Sequence, residues 1–164
     1  MMTRPMNKFF FAFAFVIISL STLGIRGQGR PEWLGRFEDT LKAKEKLWKI
    51  DNRLVNADGS LYSESFRLKK GAFTGAVQIQ AYYILENPDE TFTGLVLASD
   101  NIMGKRQTKT KLEGLGTEAY MWSGNNADDY TTVFFKKDKI FVTVFMPGRA
   151  TAQRFAKHVA SQIP

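Results

Sequence analysis

The 164-residue sequence contains no cysteine. That excludes disulfides, a thiol nucleophile, thiolate metal sites and a lipid anchor on a cysteine. It contains one histidine, His158. One imidazole cannot build a metal site alone, and no Ser-His-acid pattern can be argued from it. His158 is expected on a solvated helix flank beside Arg154 and Lys157. There is no Asn-x-Ser/Thr sequon, no internal repeat and no low-complexity segment. The longest apolar run, from Phe9 to Leu20, falls short of the ~20 residues that a comfortable membrane-spanning helix needs.

That run has another reading. Arg4 and Lys8 precede it, and small and polar residues follow it at Ser21 to Gly24 and Gly27-Gln28. A positive end, a short apolar core and a small-residue exit make a secretory signal peptide. Cleavage is expected after Gly24 or Gly27, with Gly27 preferred; Met6 is an alternative start, and an uncleaved anchor is the competing reading. Residues 1–27 are therefore read as signal peptide and 28–164 as a single exported domain, periplasmic or secreted. Without Arg4, Lys8 and Arg26 the 23 basic residues fall to 20 against 16 acidic ones, a net charge of about +4. That balance does not point to nucleic acid. A cysteine-free exported domain must be held by its core, and ~135 residues suffice for one.

The strongest pattern lies from Gly114 to Pro147. Thr131 to Phe135 and Ile140 to Met146 alternate at the strand period, with Lys136 to Lys139 as a charged hairpin tip. Both faces of the second strand are apolar, so it is expected inside the sheet. Arg149 to Ile163 reads as a helix with Ala152, Phe155, Ala156, Val159 and Ile163 on one face. A helix is also expected from Pro31 to Lys46, with Leu47 to Ile50 as a possible strand start. Asp51 to Ser60 reads as polar chain with a turn at Asp58-Gly59. Strands are expected at Leu61 to Leu68, with Tyr62, Phe66 and Leu68 inward, and at Thr74 to Leu85. Asn87-Pro88-Asp89-Glu90 predicts a helix to about Ser99, with a strand over Thr91 to Leu97 as the competitor. Together these predict an α+β fold: an antiparallel sheet of about five or six strands, two or three helices packed on one face, and the C-terminal strand pair central.

Candidate sites are sparse. Tyr82, Tyr120, Trp122 and Tyr130, with Tyr83, are aromatics able to line a ligand groove. Lys105, Arg106, Lys109 and Lys111 form a basic stretch: edge-strand protection, or a contact for anionic lipid or polyanion. Glu118, with Glu113 nearby, and Asp128 are the carboxylates a hydrolase would use. The oxygen-rich loops Asn125 to Asp129 and Asn56 to Gly59 suit calcium weakly and turns well. No catalytic residue, metal ligand or cofactor is assigned.

The run Gly114-Leu115-Gly116-Thr117-Glu118-Ala119-Tyr120 is followed by two strands, the second containing Phe141-Val142-Thr143-Val144. A helix then carries Arg154-Phe155-Ala156-Lys157-His158-Val159-Ala160. This order resembles the end of a group of small exported bacterial domains, over roughly Thr74 to Ile163. The group includes extracytoplasmic sensor domains of actinobacterial serine/threonine kinases and related small lipoproteins. This chain departs from the group in having no anchor cysteine, disulfide, kinase or membrane span. The resemblance implies a sheet with helices on one face and a ligand- or partner-binding role, and it carries over no functional residues. The expected function is a non-catalytic exported binding or interaction domain for a small ligand or envelope protein, with membrane contact at most peripheral. The alternatives are a carboxylate hydrolase near Glu118 or Asp128 and an envelope-surface protein using Lys105 to Lys111.

Overall fold

The computed structural model describes residues 29–164; the expected signal peptide lies outside them. The elements follow in the order α1 (Trp33–Lys44), β1 (Lys49–Ala57), β2 (Leu61–Lys70), β3 (Phe73–Tyr82), α2 (Pro88–Met103), β4 (Thr108–Lys111), β5 (Glu118–Ser123), β6 (Tyr130–Lys137), β7 (Ile140–Pro147) and α3 (Arg149–Ala160). The seven strands form one sheet in the order β1-β2-β3-β7-β6-β5-β4. Every neighbouring pair is antiparallel. The α+β class and the central place of the C-terminal hairpin are as the sequence predicts.

The sheet has more strands than expected because Lys49 to Ala57, read as mostly polar chain, is an edge strand paired along β2. Its side chains are nearly all exposed, so it carries no inward apolar series to announce it. The hairpin turn is also tighter than the charged run suggested. Lys137 still pairs with Ile140, and Asp138 turns the chain at φ 52°.

The helices divide between the two faces. On one, Leu34, Phe37 and Leu41 of α1 and Phe155, Ala156 and Val159 of α3 close over Phe66, Val77, Ile79, Val133, Phe135, Val142 and Val144. Phe155 and Val159 have no exposed surface, and burial of each contributes roughly 1.5–3 kcal/mol. On the other, Phe92 and Val96 of α2 pack on Trp122, Phe134 and Phe141. One-sided cover would leave Phe134 and Phe141 in water, and the apolar character of both faces of β7 requires the second layer.

Two ion clusters lock the larger layer. Glu64 on β2 is fully buried. It accepts from Arg30 Nε at 2.9 Å, pairs with Arg53 Nε at 3.2 Å and accepts from Tyr62 Oη at 2.7 Å. Glu38 on α1 binds the same two guanidiniums. Glu64 holds the Arg30 guanidinium well above its ordinary range, while burial, then Glu64, push the Tyr62 phenol up to about 12. The second cluster corrects the solvated placement expected of His158. Its Nε2 lies 3.0 Å from Glu45 Oε1, and its side chain is only 13% exposed. The turn after α1 buries Glu45 against α3, and a buried carboxylate requires a cationic partner, which Arg154 supplies.

Candidate functional site

Strand register places a defined set of side chains beneath and beside α2. One row across that face runs Leu54, Ser65, Gln78, Thr143, Phe134, Tyr120 and Lys111. The next runs Asn52, Arg67, Ala76, Phe145, Thr132, Trp122 and Lys109. A third contains Asn56, Ser63, Gln80, Phe141, Lys136 and Glu118. The face is thus aromatic toward β5 and β6 and polar toward β2 and β3. Helix α2 sits on the aromatic half. Toward β1, Ser65, Arg67 and Ala76 are half-buried, and Asn52 and Leu54 are exposed.

Where the halves meet, Leu95 and Ser99 of α2 stand over Gln78, Gln80, Thr132, Phe134 and Thr143 and enclose a cavity of about 20 Å³. Gln80 is buried. The Nε2 atoms of both Gln78 and Gln80 are buried and have no hydrogen-bond partner among the described residues. Such donors are costly unless something accepts from them. Ser99 turns its hydroxyl proton to Leu95 O at 2.8 Å, so its oxygen faces the space as an acceptor. The site therefore combines two amide donors, hydroxyls and an apolar wall, as small-molecule sites do. It holds no titratable side chain and no nucleophile activated by a base, so it is suited to binding rather than to proton transfer.

The four aromatics expected to line a groove all lie on this face but at different places around α2. Trp122 is fully buried. It neighbours Tyr120 at 6.2 Å between ring centroids, and Lys109 Nζ lies 4.5 Å from the Tyr120 ring and 5.6 Å from that of Trp122. Tyr82 packs on Phe141 at 5.0 Å. Tyr130 stacks on Phe145 at 4.6 Å. Two of the four are thus brought together, and the others stand apart. Within the basic stretch, Lys105 and Arg106 are exposed in the turn after α2, and β4 forms the far edge with Lys109 and Lys111. Lys109 is engaged with Asp100 at 2.7 Å.

Glu118 and Asp128 do not converge. Glu118 pairs across from Lys136 near one end of β6, whereas Asp128 precedes its other end, roughly 20 Å or more away along the strand. Glu118 accepts the Tyr120 hydroxyl at 2.7 Å. The two oxygen-rich loops serve as turns: Asp129 accepts from Asn126 N at 3.0 Å, and Asp58 from Ser60 N at 3.1 Å. Among the described residues no group of acids and histidine is placed to hold a metal ion. A wider depression of about 490 Å³ lies between Gly114 to Thr117 and the end of α3. It is open, and one of its cations, Lys137, is taken by Ile163 O at 2.6 Å.

Gln78 and Gln80 were not among the sequence candidates. Their one signal is alternation: they share a strand face with Tyr82 and oppose Val77 and Ile79, which marks the outward side of β3 and says nothing of a helix returning over it. Comparison with protein-family models, curated proteins and solved structures finds no significant match.

Proposed function

We propose that the chain is a non-catalytic exported binding domain, and that its ligand is held between α2 and β3. The observation that carries this reading is the pair of buried, unpartnered amide donors of Gln78 and Gln80 at one cavity. A carbonyl or carboxylate oxygen accepts from both. About 20 Å³ admits one such group, the size of a single water. The remainder of the ligand lies along the open half of the face, over Ser65, Ala76 and Leu54. The leader-like first 27 residues support export, and the resemblance of Thr74 to Ile163 to exported sensor-type domains points to binding rather than catalysis.

Native mass spectrometry of the protein, purified gently from its own host, tests this. The expected spectrum carries a reproducible extra mass that leaves on denaturation and is absent from the Gln78→Leu/Gln80→Leu variant. A clean monomer mass for the wild type overturns the small-ligand reading. An extra mass that survives the double substitution moves the site elsewhere.

A further inference from the structure

We infer that one end of the sheet docks on an anionic lipid bilayer. Antiparallel register brings the start of β1, the β2–β3 turn and the starts of β4 and β6 to the same end. Helix α2 also stops there, immediately before β4. Three large apolar side chains project from this end: Leu47 is 69%, Phe73 52% and Ile102 60% exposed. Each lies beside cations in the chain: Leu47 between Lys46 and Lys49, Phe73 after Lys69 and Lys70, Ile102 ahead of Lys105 and Arg106. Lys46, Lys49, Lys70, Lys105 and Arg106 are exposed and have no ion-pair partner among the described residues.

The carboxylates at this end do not offset them. Asp51 is bound by Arg67 and Lys69; Asp128 and Asp129, on the β5–β6 loop at this same end, are two carboxylates without a cation among the described residues, against five such cations. The opposite end is mixed in sign, with Glu86, Asp89, Glu90, Glu113 and Asp138 exposed beside Lys111. At ~4.8 Å per strand the basic end spans about 30 Å, broad enough to lie on a membrane. Anionic headgroups attract such cations over roughly a Debye length. Apolar tips enter the interfacial region, and it is these tips that favour a bilayer over a soluble polyanion. Only Lys105 and Arg106 of the basic stretch belong to this surface; Lys109 is held by Asp100.

The test is co-sedimentation with vesicles of phosphatidylglycerol and phosphatidylcholine in equal parts, against phosphatidylcholine alone. It uses the protein as its host processes it, with the intact mass recorded, so that every variant carries the same N-terminus. Wild type is expected to bind the anionic vesicles in a salt-dependent way. Joint substitution of Lys46, Lys49, Lys70, Lys105 and Arg106 by Gln is expected to weaken that binding by roughly tenfold or more. Joint substitution of Leu47, Phe73 and Ile102 by Ser is expected to weaken vesicle binding while leaving retention on a polyanionic resin unchanged. All these positions are exposed, and unchanged circular dichroism shows that the variants fold. The proposal is overturned by equal binding to both vesicle types, by wild-type binding in the charge variant, or by full vesicle binding in the Ser variant. That last result would mean a polyanion surface.

Discussion

The indole Nε1 of Trp122 donates to Asp100 Oδ1 at 2.9 Å and so fastens α2 to β5. Lys109 Nζ holds the other carboxylate oxygen at 2.7 Å. One acid on the helix thereby joins two strands of the sheet, and Lys109, then burial and Trp122, set its charge state, with the carboxyl held below its usual range. A double-mutant cycle of Trp122→Phe and Asp100→Ala should give a coupling energy of about 1 kcal/mol, the size of one hydrogen bond to a charged group half open to water. Urea unfolding of the four proteins measures it. A coupling near zero would mean that the bond from Trp122 to Asp100 does not fasten α2 to β5.

The Glu64 cluster predicts costs that do not add. With Arg30 removed, Glu64 retains Arg53 and Tyr62; with Arg53 removed, it retains Arg30 and Tyr62. Each single Arg→Ala change is expected to cost about 1–2 kcal/mol. The double change leaves a fully buried carboxylate without a cation, which costs about 3–5 kcal/mol by itself. Chemical denaturation should therefore show the double variant losing more than the two singles together. Simple additivity would show that Glu64 is reached by water or takes up a proton once the guanidiniums are gone.

The sequence is legible where side chains alternate or repeat against a core. The β6–β7 hairpin and α3 follow from period alone, and the start of α2 follows from Pro88 in its first turn, although Asn87 makes no side-chain capping bond there. Helix α2 continues to Met103, past the expected stop at Ser99, because Ser99 faces the sheet and is buried rather than breaking the stripe. Strand β1 is legible only at its start, within Leu47 to Ile50, since the rest of an edge strand with exposed side chains is specified by pairing with β2 and not by its own pattern. Glu64 was within reach: it alternates with Tyr62, Phe66 and Leu68 on the inward side of β2. Its partners, Arg30 and Arg53, come from separate segments, and only the folded sheet brings them together. Gln78 and Gln80 are hidden for a related reason, because their burial depends on a helix that follows them in the chain.

Acid should weaken the α1–α3 junction. Burial alone would raise the Glu45 carboxyl, but the bonds from Arg154 and His158 outweigh it and leave it below the ordinary range. A depressed folded-state value means that the carboxylate stabilises the fold above its unfolded value, ~4.3. That contribution disappears as pH falls through the lower folded value. Thermal melts from pH 6 to pH 3 should therefore show the wild type's advantage over Glu45→Gln shrinking below about pH 4. A gap that stays constant over that range would show that Glu45 acts through packing and not through charge.

The glycine loop before β5 separates two kinds of strain. Gly114 has φ 74° and Gly116 has φ 64°, so either alanine substitution meets the left-handed penalty of about 1–2 kcal/mol. Their surroundings differ. Among the described residues a Cβ on Gly114 meets nothing within 4 Å, whereas one on Gly116 falls 2.2 Å from the backbone oxygen of Lys136. That oxygen also accepts from Thr117 N at 2.8 Å and from Thr117 Oγ1 at 3.1 Å, so it cannot retreat without breaking the entry into β5. Gly116→Ala should therefore destabilise the fold by clearly more than Gly114→Ala, by about 2 kcal/mol or more beyond the shared penalty. The difference in urea midpoint at constant slope measures it. Equal midpoints would mean that the loop can move off β6, and that its conformation is set by the two glycines rather than by the strand they rest on.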